Sequence, residues 1–420
     1  MMRKKDFERV FSKERITKLI DEFGAIGADP NGGVTRLAFS SYDIKAREKI
    51  IRIMENELGL KVRIDPWGNI IGRREGKLNN AASLMTGSHL DSVRNGGKFD
   101  GPAGVLGAVE AIRALNELKI KTFHPLELVV FTAEEPNDFG ISTVGSRGMV
   151  GKLSKEELLN IKNNEGFSIL DAIKKIGGDP DRFHEGVRKP GEIKAFIEIH
   201  IEQMPYLEKE KKDIGIVEGI TGIHRAKVII HGVAKHAGTT PMNERQDALV
   251  AAAHLIKTLN KLASTEKNTV ATVGQISVKP NSINIIPSET SLDLEVRSYH
   301  KSAIKKILED FYNEMSLIGK VYGVKTSIKD TYHTEPTTFS PYIREKIKQA
   351  CDILGFSYLN LVSMAGHDAN HIATIADTGM IFIPSHKGLS HCPKEWTDPI
   401  YLVKGAKVLA QSLLILDQEN

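Results

Sequence analysis

The sequence predicts an α/β protein with a mixed, mostly parallel sheet flanked by helices, interrupted by a smaller α+β domain. Three observations carry that prediction. Strand patterns at 84–88, 126–132 and 195–201, the second nearly all apolar like a strand buried on both faces, alternate with helical patterns. From about residue 215 the strands alternate apolar and polar residues and are separated by amphipathic helices. After Thr337 the apolar α/β character returns. The smaller domain is therefore an insertion: residues 215–332 interrupt a discontinuous main domain made of 1–214 and 333–420.

At 420 residues the chain exceeds what one compact core usually accommodates, which agrees with two domains. The formal net charge of +4 is small and scattered, so it does not argue for nucleic acid or an acidic membrane. Cys351 and Cys392 are the only cysteines. They make no disulfide framework, and the chain reads as cytoplasmic. The amphipathic segment 1–24 lacks the apolar core of a signal peptide, and no run resembles a membrane span of roughly 20 apolar residues.

The elements follow in order. Apolar spacing predicts helices at 7–25 and around 42–58, then short strands at 60–64 and 69–73 joined as a hairpin at Pro66-Trp67-Gly68-Asn69. A strand at 84–88 leads to His89, a helix covers 102–118, and a strand at 126–132 ends in Ala133-Glu134-Glu135-Pro136. A helix is expected over 154–176, then the strand Ala-Phe-Ile-Glu-Ile-His-Ile at 195–201. The insertion runs strand 226–233, helix 244–263, strands 270–278 and 291–298, helix 301–319 and strand 324–329. That order is the split βαβ arrangement, with two helices on one face of an antiparallel sheet. Helix 341–354, strand 380–384, the loop around His391 and helix 399–416 complete the main domain.

The predicted strand ends carry metal-type ligands: His89 with Asp91, Glu134-Glu135, His200 and the His391 loop, while Asp100 follows in the glycine-containing loop after His89. In open α/β sheets, sites form beyond the carboxyl ends of the strands. A carboxylate such as Asp91 can orient a ligating imidazole by accepting its second ring N–H. Neighbouring residues on a strand point to opposite sides, so one of Glu134 and Glu135 could bind metal while the other holds a proton. Taken singly, His200 reads as a hydrogen-bonded core histidine and the glutamates as solvated acids; it is the combination that points to metal. Nitrogen and oxygen donors without a partnered thiolate suit zinc, and also manganese, cobalt or nickel. Three histidines and two carboxylates can hold two cations if Asp100 bridges them. Such a pair shares a water and lowers its pKa towards about 7, leaving Glu134 or Glu135 to take the proton.

Thr86 to Gly104, Phe131-Thr132-Ala133-Glu134-Glu135, Ile199-His200-Ile201-Glu202-Gln203 and Gly388-Leu389-Ser390-His391 together resemble the dinuclear-metal amidohydrolases. The nearest branch in that resemblance is the hydantoinase/carbamoylase family, related to zinc aminoacylases, dipeptidases and carboxypeptidases. The resemblance implies a zinc-exopeptidase-like fold with a ferredoxin-like lid and dimerisation domain. It implies two divalent ions per subunit, one held by His89, Asp100 and His200, the other by Asp100, Glu135 and His391. Glu134 would be the general base and Asp91 the orienter of His89. His236, within Gly232 to Met242, would stabilise the oxyanion. Arg297 and Asn284 would hold a substrate carboxylate, and Gln203 and Gly366 would line the pocket.

The activity so implied is hydrolysis of a ureido or amide C–N bond in a small substrate with a free carboxylate. An N-carbamoyl-L-amino acid comes first, and allantoate or ureidopropionate is the alternative. An aminoacylase or dipeptidase would use the same site, but the His200 and Gln203 pattern argues against it. A non-catalytic dimeric binding protein on the same fold is a further alternative, disfavoured because all five ligands and the base are present. Two departures bear on the substrate. Met204 stands where the family usually has glycine, and Met364 replaces the glycine of its Ser-Gly-Ala-Gly-His-Asp-Ala loop.

Overall fold

The computed structural model describes residues 4–78 and 80–418; residues 1–3, 79 and 419–420, including the start of the amphipathic segment read at 1–24, lie outside the described residues. The chain divides into two compact units. One comprises Met1–Glu218, Phe339–Leu361 and Gly366–Asn420, the other Gly219–Thr338 and Val362–Ala365.

The strands, in chain order, are β1 (Lys61–Ile64), β2 (Ile70–Arg74), β3 (Ser83–His89), β4 (Leu126–Phe131), β5 (Ile193–Ile201), β6 (Ile214–Ile220), β7 (Gly222–His231), β8 (Thr269–Lys279), β9 (Glu289–Ser298), β10 (Lys325–Thr334), β11 (Thr337–Thr338), β12 (Tyr358–Ser363) and β13 (Asp377–Ile383). In the larger unit the sheet order is β1-β2-β4-β3-β5-β13-β6, and β12 also pairs with β6. The centre is parallel: β3 lies between β4 and β5, and β13 adds beside β5. The margins are antiparallel, with the β1–β2 hairpin on one side and β6 on the other.

Apolar runs at β3, β4 and β5 are buried almost throughout, which is why they show no polar alternation. Helices Pro102–Glu117 and Pro399–Asp417 pack together, and their side chains share a core with Leu84, Leu128, Ile197 and Ile199 of the sheet. Pro399–Asp417 is the one described helix long and apolar enough to cross a membrane, but 78% of its most apolar window is buried inside the protein. It is a core helix.

The smaller unit has the sheet order β10-β7-β9-β8, antiparallel throughout. Helices Ala248–Ser264 and Lys301–Tyr322 cover one face, with Leu255, Leu259, Ile307 and Phe311 packed on Val228, Leu292, Leu294 and Val296. Asp293, Glu295 and Arg297 alternate with these core residues, on the half-buried positions of β9.

Two expectations change, and two strands, β6 and β12, lie where the sequence pattern predicts none. The segment expected as one helix at 7–25 is two helices, Lys4–Val10 and Lys13–Gly24, because Ser12 N-caps the second by accepting from Arg15 N–H. The helix expected over 154–176 is only Lys155–Leu158 and Ile169–Lys175. Between them Asn163 Oδ1 accepts from the amides of Glu165 and Phe167, a local turn that competes with the helix. Strands β6 and β12 carry no clear alternation: β6 is buried at six of its seven positions and contains two glycines.

A candidate dinuclear metal centre

The candidate ligands in the larger unit meet where the parallel strands end. His89 closes β3, Glu134 and Glu135 follow β4, and His200 is the penultimate residue of β5. Asp100 lies in the loop before helix Pro102–Glu117, and His391 in the loop after β13. Asp100 is the common member. Its Oδ1 is 3.2 Å from His200 Nε2 and 3.8 Å from His89 Nε2, while its Oδ2 is 3.2 Å from His391 Nε2. His391 Nε2 is also 3.2 Å from Glu135 Oε1. Two compact trios result, His89–Asp100–His200 and Asp100–Glu135–His391, joined at one carboxylate with an oxygen for each.

The ring nitrogens are presented correctly for ligation. His89 Nδ1 lies 3.0 Å from the carbonyl of Asp91, and His200 Nδ1 lies 2.9 Å from the carbonyl of Ile201. A carbonyl only accepts, so each Nδ1 carries a hydrogen and each Nε2 faces Asp100, where it donates to the carboxylate when protonated and would offer its lone pair to a cation when not. This revises the role expected of the Asp91 side chain. Its carboxylate is 3.7 Å from His89 Nδ1 and instead accepts the backbone N–H groups of Glu134 and Glu135. Asp91 thus orients His89 through its carbonyl and the two glutamates through its carboxylate.

Electrostatics fit cations at this place. Among the described residues, the ion-pair partners of Asp100, Glu134 and Glu135 are imidazoles alone. Burial would push the Asp100 carboxyl up, but the imidazoles of His200 and His391 overcome it and hold Asp100 well below the carboxylate range. Burial would lower His200, yet Asp100 raises it to about 9; contacts with Asp100 and Glu135 raise His391 to about 10. Protons are drawn there by the same negative field that would draw a divalent cation. Glu134 is outside both trios, with Oε2 3.7 Å from His89 Nε2. Burial, then the charges of Glu135, Asp368, Asp91 and Asp100, push its carboxyl well above the usual range.

Gly101 makes the close packing feasible. It has φ +80°, and a Cβ there would lie 2.4 Å from Cε1 of His89. Gln203 also has positive φ, and its Nε2 donates to Asp100 Oδ2 at 2.7 Å. Its amide therefore meets the bridging carboxylate, where a pocket-lining role had been expected. Gly366 is exposed with open space around its Cα, two residues ahead of the buried Asp368.

The remaining predicted residues lie in the smaller unit. His236 pairs with Ile285 in an isolated bridge, and Ala237 N–H donates to the carbonyl of Asn284. His236 and Asn284 are thus on adjoining segments. His236 Nδ1 accepts from the amides of Gly238 and Thr239, which leaves the neutral ring's N–H on Nε2, free to donate. Arg297 is held by Glu295 at 2.5 Å and by the carbonyl of Met364 at 2.9 Å.

Sequence reasoning passed over three buried acids. Glu198 accepts from Ser88 Oγ and Ala369 N–H, behind His200. A glutamate inside the apolar strand β5 was the available signal. Asp368 is buried beside it. Glu395, in a charged-looking loop with nothing to mark it, is pushed up to about 7 by burial and the charge of Asp100.

Comparison with known proteins agrees with this geometry. Residues 85–414 match the family described as Peptidase family M20/M25/M40. The chain is 41% identical over 409 residues to N-carbamoyl-L-amino-acid amidohydrolase of Pseudomonas sp. (strain NS671), covering 96% of this chain and 98% of that one. It is 33% identical to allantoate amidohydrolase of Bacillus subtilis (strain 168), covering 97% and 98% respectively. The crystal structure of an amidase of the hydantoinase/carbamoylase family from Burkholderia multivorans superposes with TM-score 0.89 at 34% identity, covering 97% of this chain and 98% of that one. The chain belongs to the M20/M25/M40 peptidase family. Within it, the chain falls with the hydantoinase/carbamoylase amidases, as its motifs had implied.

Proposed function

We propose that this protein hydrolyses a ureido or amide C–N bond in a small carboxylate-bearing substrate, first of all an N-carbamoyl-L-amino acid. The observation that carries the proposal is the bridging position of Asp100 between two imidazoles, each at 3.2 Å. The identity to a named carbamoylase supports the substrate class. Allantoate is the second candidate, from the relative of that name.

Two divalent cations, with zinc the first choice for this donor set and manganese, cobalt or nickel suited as well, would polarise the scissile carbonyl and acidify the attacking water. His89 and His200 would hold one, His391 and Glu135 the other, with Asp100 shared. Glu134 takes the water's proton and passes it to the leaving nitrogen; its position outside both trios leaves its oxygens free for that transfer. A carboxylate raised by burial and neighbouring charge holds a proton more firmly than a free one, which suits a group that must both receive and donate. His236 is assigned the oxyanion donor through Nε2–H. Arg297 and Asn284 are assigned the substrate carboxylate, and Gln203 supports Asp100 as well as the pocket.

The inserted domain, expected from the sequence at 215–332, is proposed as a lid and as the surface of a homodimer, and sedimentation analysis of the purified protein tests the dimer. Cys351 and Cys392 are unpaired thiols, in keeping with a cytoplasmic location. The substrate assignment is tested by assaying zinc-loaded protein against N-carbamoyl-L-amino acids, allantoate, N-acetyl amino acids and dipeptides. Ammonia release from the first two supports the proposal. Turnover restricted to acetyl amino acids or dipeptides would replace it with an aminoacylase or dipeptidase.

A further inference from the structure

His391 is the weak point of the cluster. Its side chain is 50% exposed, whereas those of His89 and His200 are 2% and 1% exposed. Its backbone has φ +56°, a region that non-glycine residues rarely adopt. It stands on the loop between the short 3-10 turn His386–Gly388 and the last helix, so something must hold that loop against Asp100.

Glu395 does so. Its Oε1 accepts the backbone N–H groups of Phe99 and Asp100, at 2.9 and 3.0 Å. Its Oε2 accepts from Ser390 Oγ at 2.8 Å, and that same hydroxyl lies 2.7 Å from Asp100 Oδ2. One carboxylate therefore fastens the backbone of the bridging ligand to the residue immediately before His391. The Glu395 N–H closes a turn onto the carbonyl of Cys392, which fixes its own approach. Its side chain is buried, and its place is reserved by Gly97, where a Cβ would lie 1.9 Å from Oε1. Gly97 has no positive φ among the glycines that do, so space is the reason for glycine there.

We infer that Glu395 is the positioning residue of the metal centre, registering the His391 loop against Asp100 so that the second cation site is formed. The inference rests on the dinuclear reading proposed above and extends it to a residue in neither ligand trio. Glu395 acts through geometry. A glutamine can keep both backbone amides on Oε1 and donate from Nε2 to Ser390 Oγ, whose hydrogen then turns to Asp100. An alanine loses all three contacts. Residues that support ligands in this way typically change metal affinity by roughly 10–100-fold when removed.

The test compares wild-type protein with Glu395→Gln, Glu395→Ala and Ser390→Ala. Zinc per chain is measured after dialysis against a buffered chelator, affinities by competition with a chromophoric chelator, and melting of the metal-free forms by circular dichroism. Wild type and Glu395→Gln are expected to keep two zinc ions. Glu395→Ala and Ser390→Ala are expected to keep one and to bind the other roughly 10–100-fold more weakly. Should Glu395→Ala fail to fold, Ser390→Ala, which removes only one hydroxyl, decides the matter. Two tightly held ions in a folded Glu395→Ala or in Ser390→Ala overturn the inference, and so does a Glu395→Gln as weak as Glu395→Ala. A wild type that takes up no zinc would bring down the dinuclear reading itself, in an arm that no variant enters.

Discussion

Glu134→Gln is the perturbation that separates chemistry from metal binding. Glu134 belongs to neither trio, and its Oε2 lies 3.7 Å from His89 Nε2. Its backbone N–H, held by Asp91 Oδ1, is untouched by the change. The amide has the shape of the acid it replaces but cannot accept the water's proton. General-base catalysis is worth about 10²–10⁴ in rate, which is roughly 2.7–5.5 kcal/mol of barrier. A fall in kcat of that size is expected, with both cations retained. Metal-free stability supplies a second readout. Burial and four neighbouring carboxylates raise the Glu134 carboxyl well above its unfolded value of 4.5. A raised folded pKa means this group's stabilising contribution is full below the unfolded value and is lost as pH rises through the folded value. Glutamine has no proton to lose. The metal-free variant should therefore melt at or above wild type, with a gap that widens as pH rises from about 5. Steady-state kinetics, metal analysis and calorimetry across pH make the comparison. A variant within threefold of wild-type kcat, or one that loses a cation, would refute the assignment of Glu134.

Other outcomes follow from the same geometry. Asp100→Asn should drop zinc uptake below one ion per chain, because both trios share that carboxylate; elemental analysis of dialysed protein checks this. Arg297→Leu should raise KM for carboxylated substrates roughly 10–100-fold with kcat little changed, since a charged hydrogen bond is worth about 1.5–3 kcal/mol. An unchanged KM removes Arg297 from substrate binding. Gly101→Ala should destabilise the protein by on the order of 1–3 kcal/mol and weaken zinc binding, because its Cβ would be 2.4 Å from the His89 ring at φ +80°. Chelation of the wild-type protein should lower its melting temperature and zinc should restore it, with a magnitude set by zinc concentration.

The parallel core was legible because strands buried on both faces lose the apolar/polar alternation, and β3, β4 and β5, buried at nearly every position, lack it. Their ends carried His89, Glu134, Glu135 and His200, so the site's address followed from strand direction. The alternation of β7 and β9 made the smaller unit's sheet legible for the converse reason, one face being covered by helices. What could not be read is of two kinds, choices among local hydrogen bonds and contacts distant in sequence. The Asp91 carbonyl, not its carboxylate, meets His89, a choice between two atoms of one residue. Glu395 meets Asp100 across 295 residues, and nothing around it differs from a solvated loop. The break after Leu158 comes from the Asn163 turn, a local hydrogen-bond choice that apolar spacing does not encode.

Anomalous diffraction from crystals of the zinc-loaded protein addresses the two-cation centre most directly. Two zinc peaks about 3.5–4 Å apart are expected, one beside His89 and His200, one beside Glu135 and His391, with an Asp100 oxygen on each. A lone peak, or peaks bound by other residues with Asp100 turned away, would contradict it.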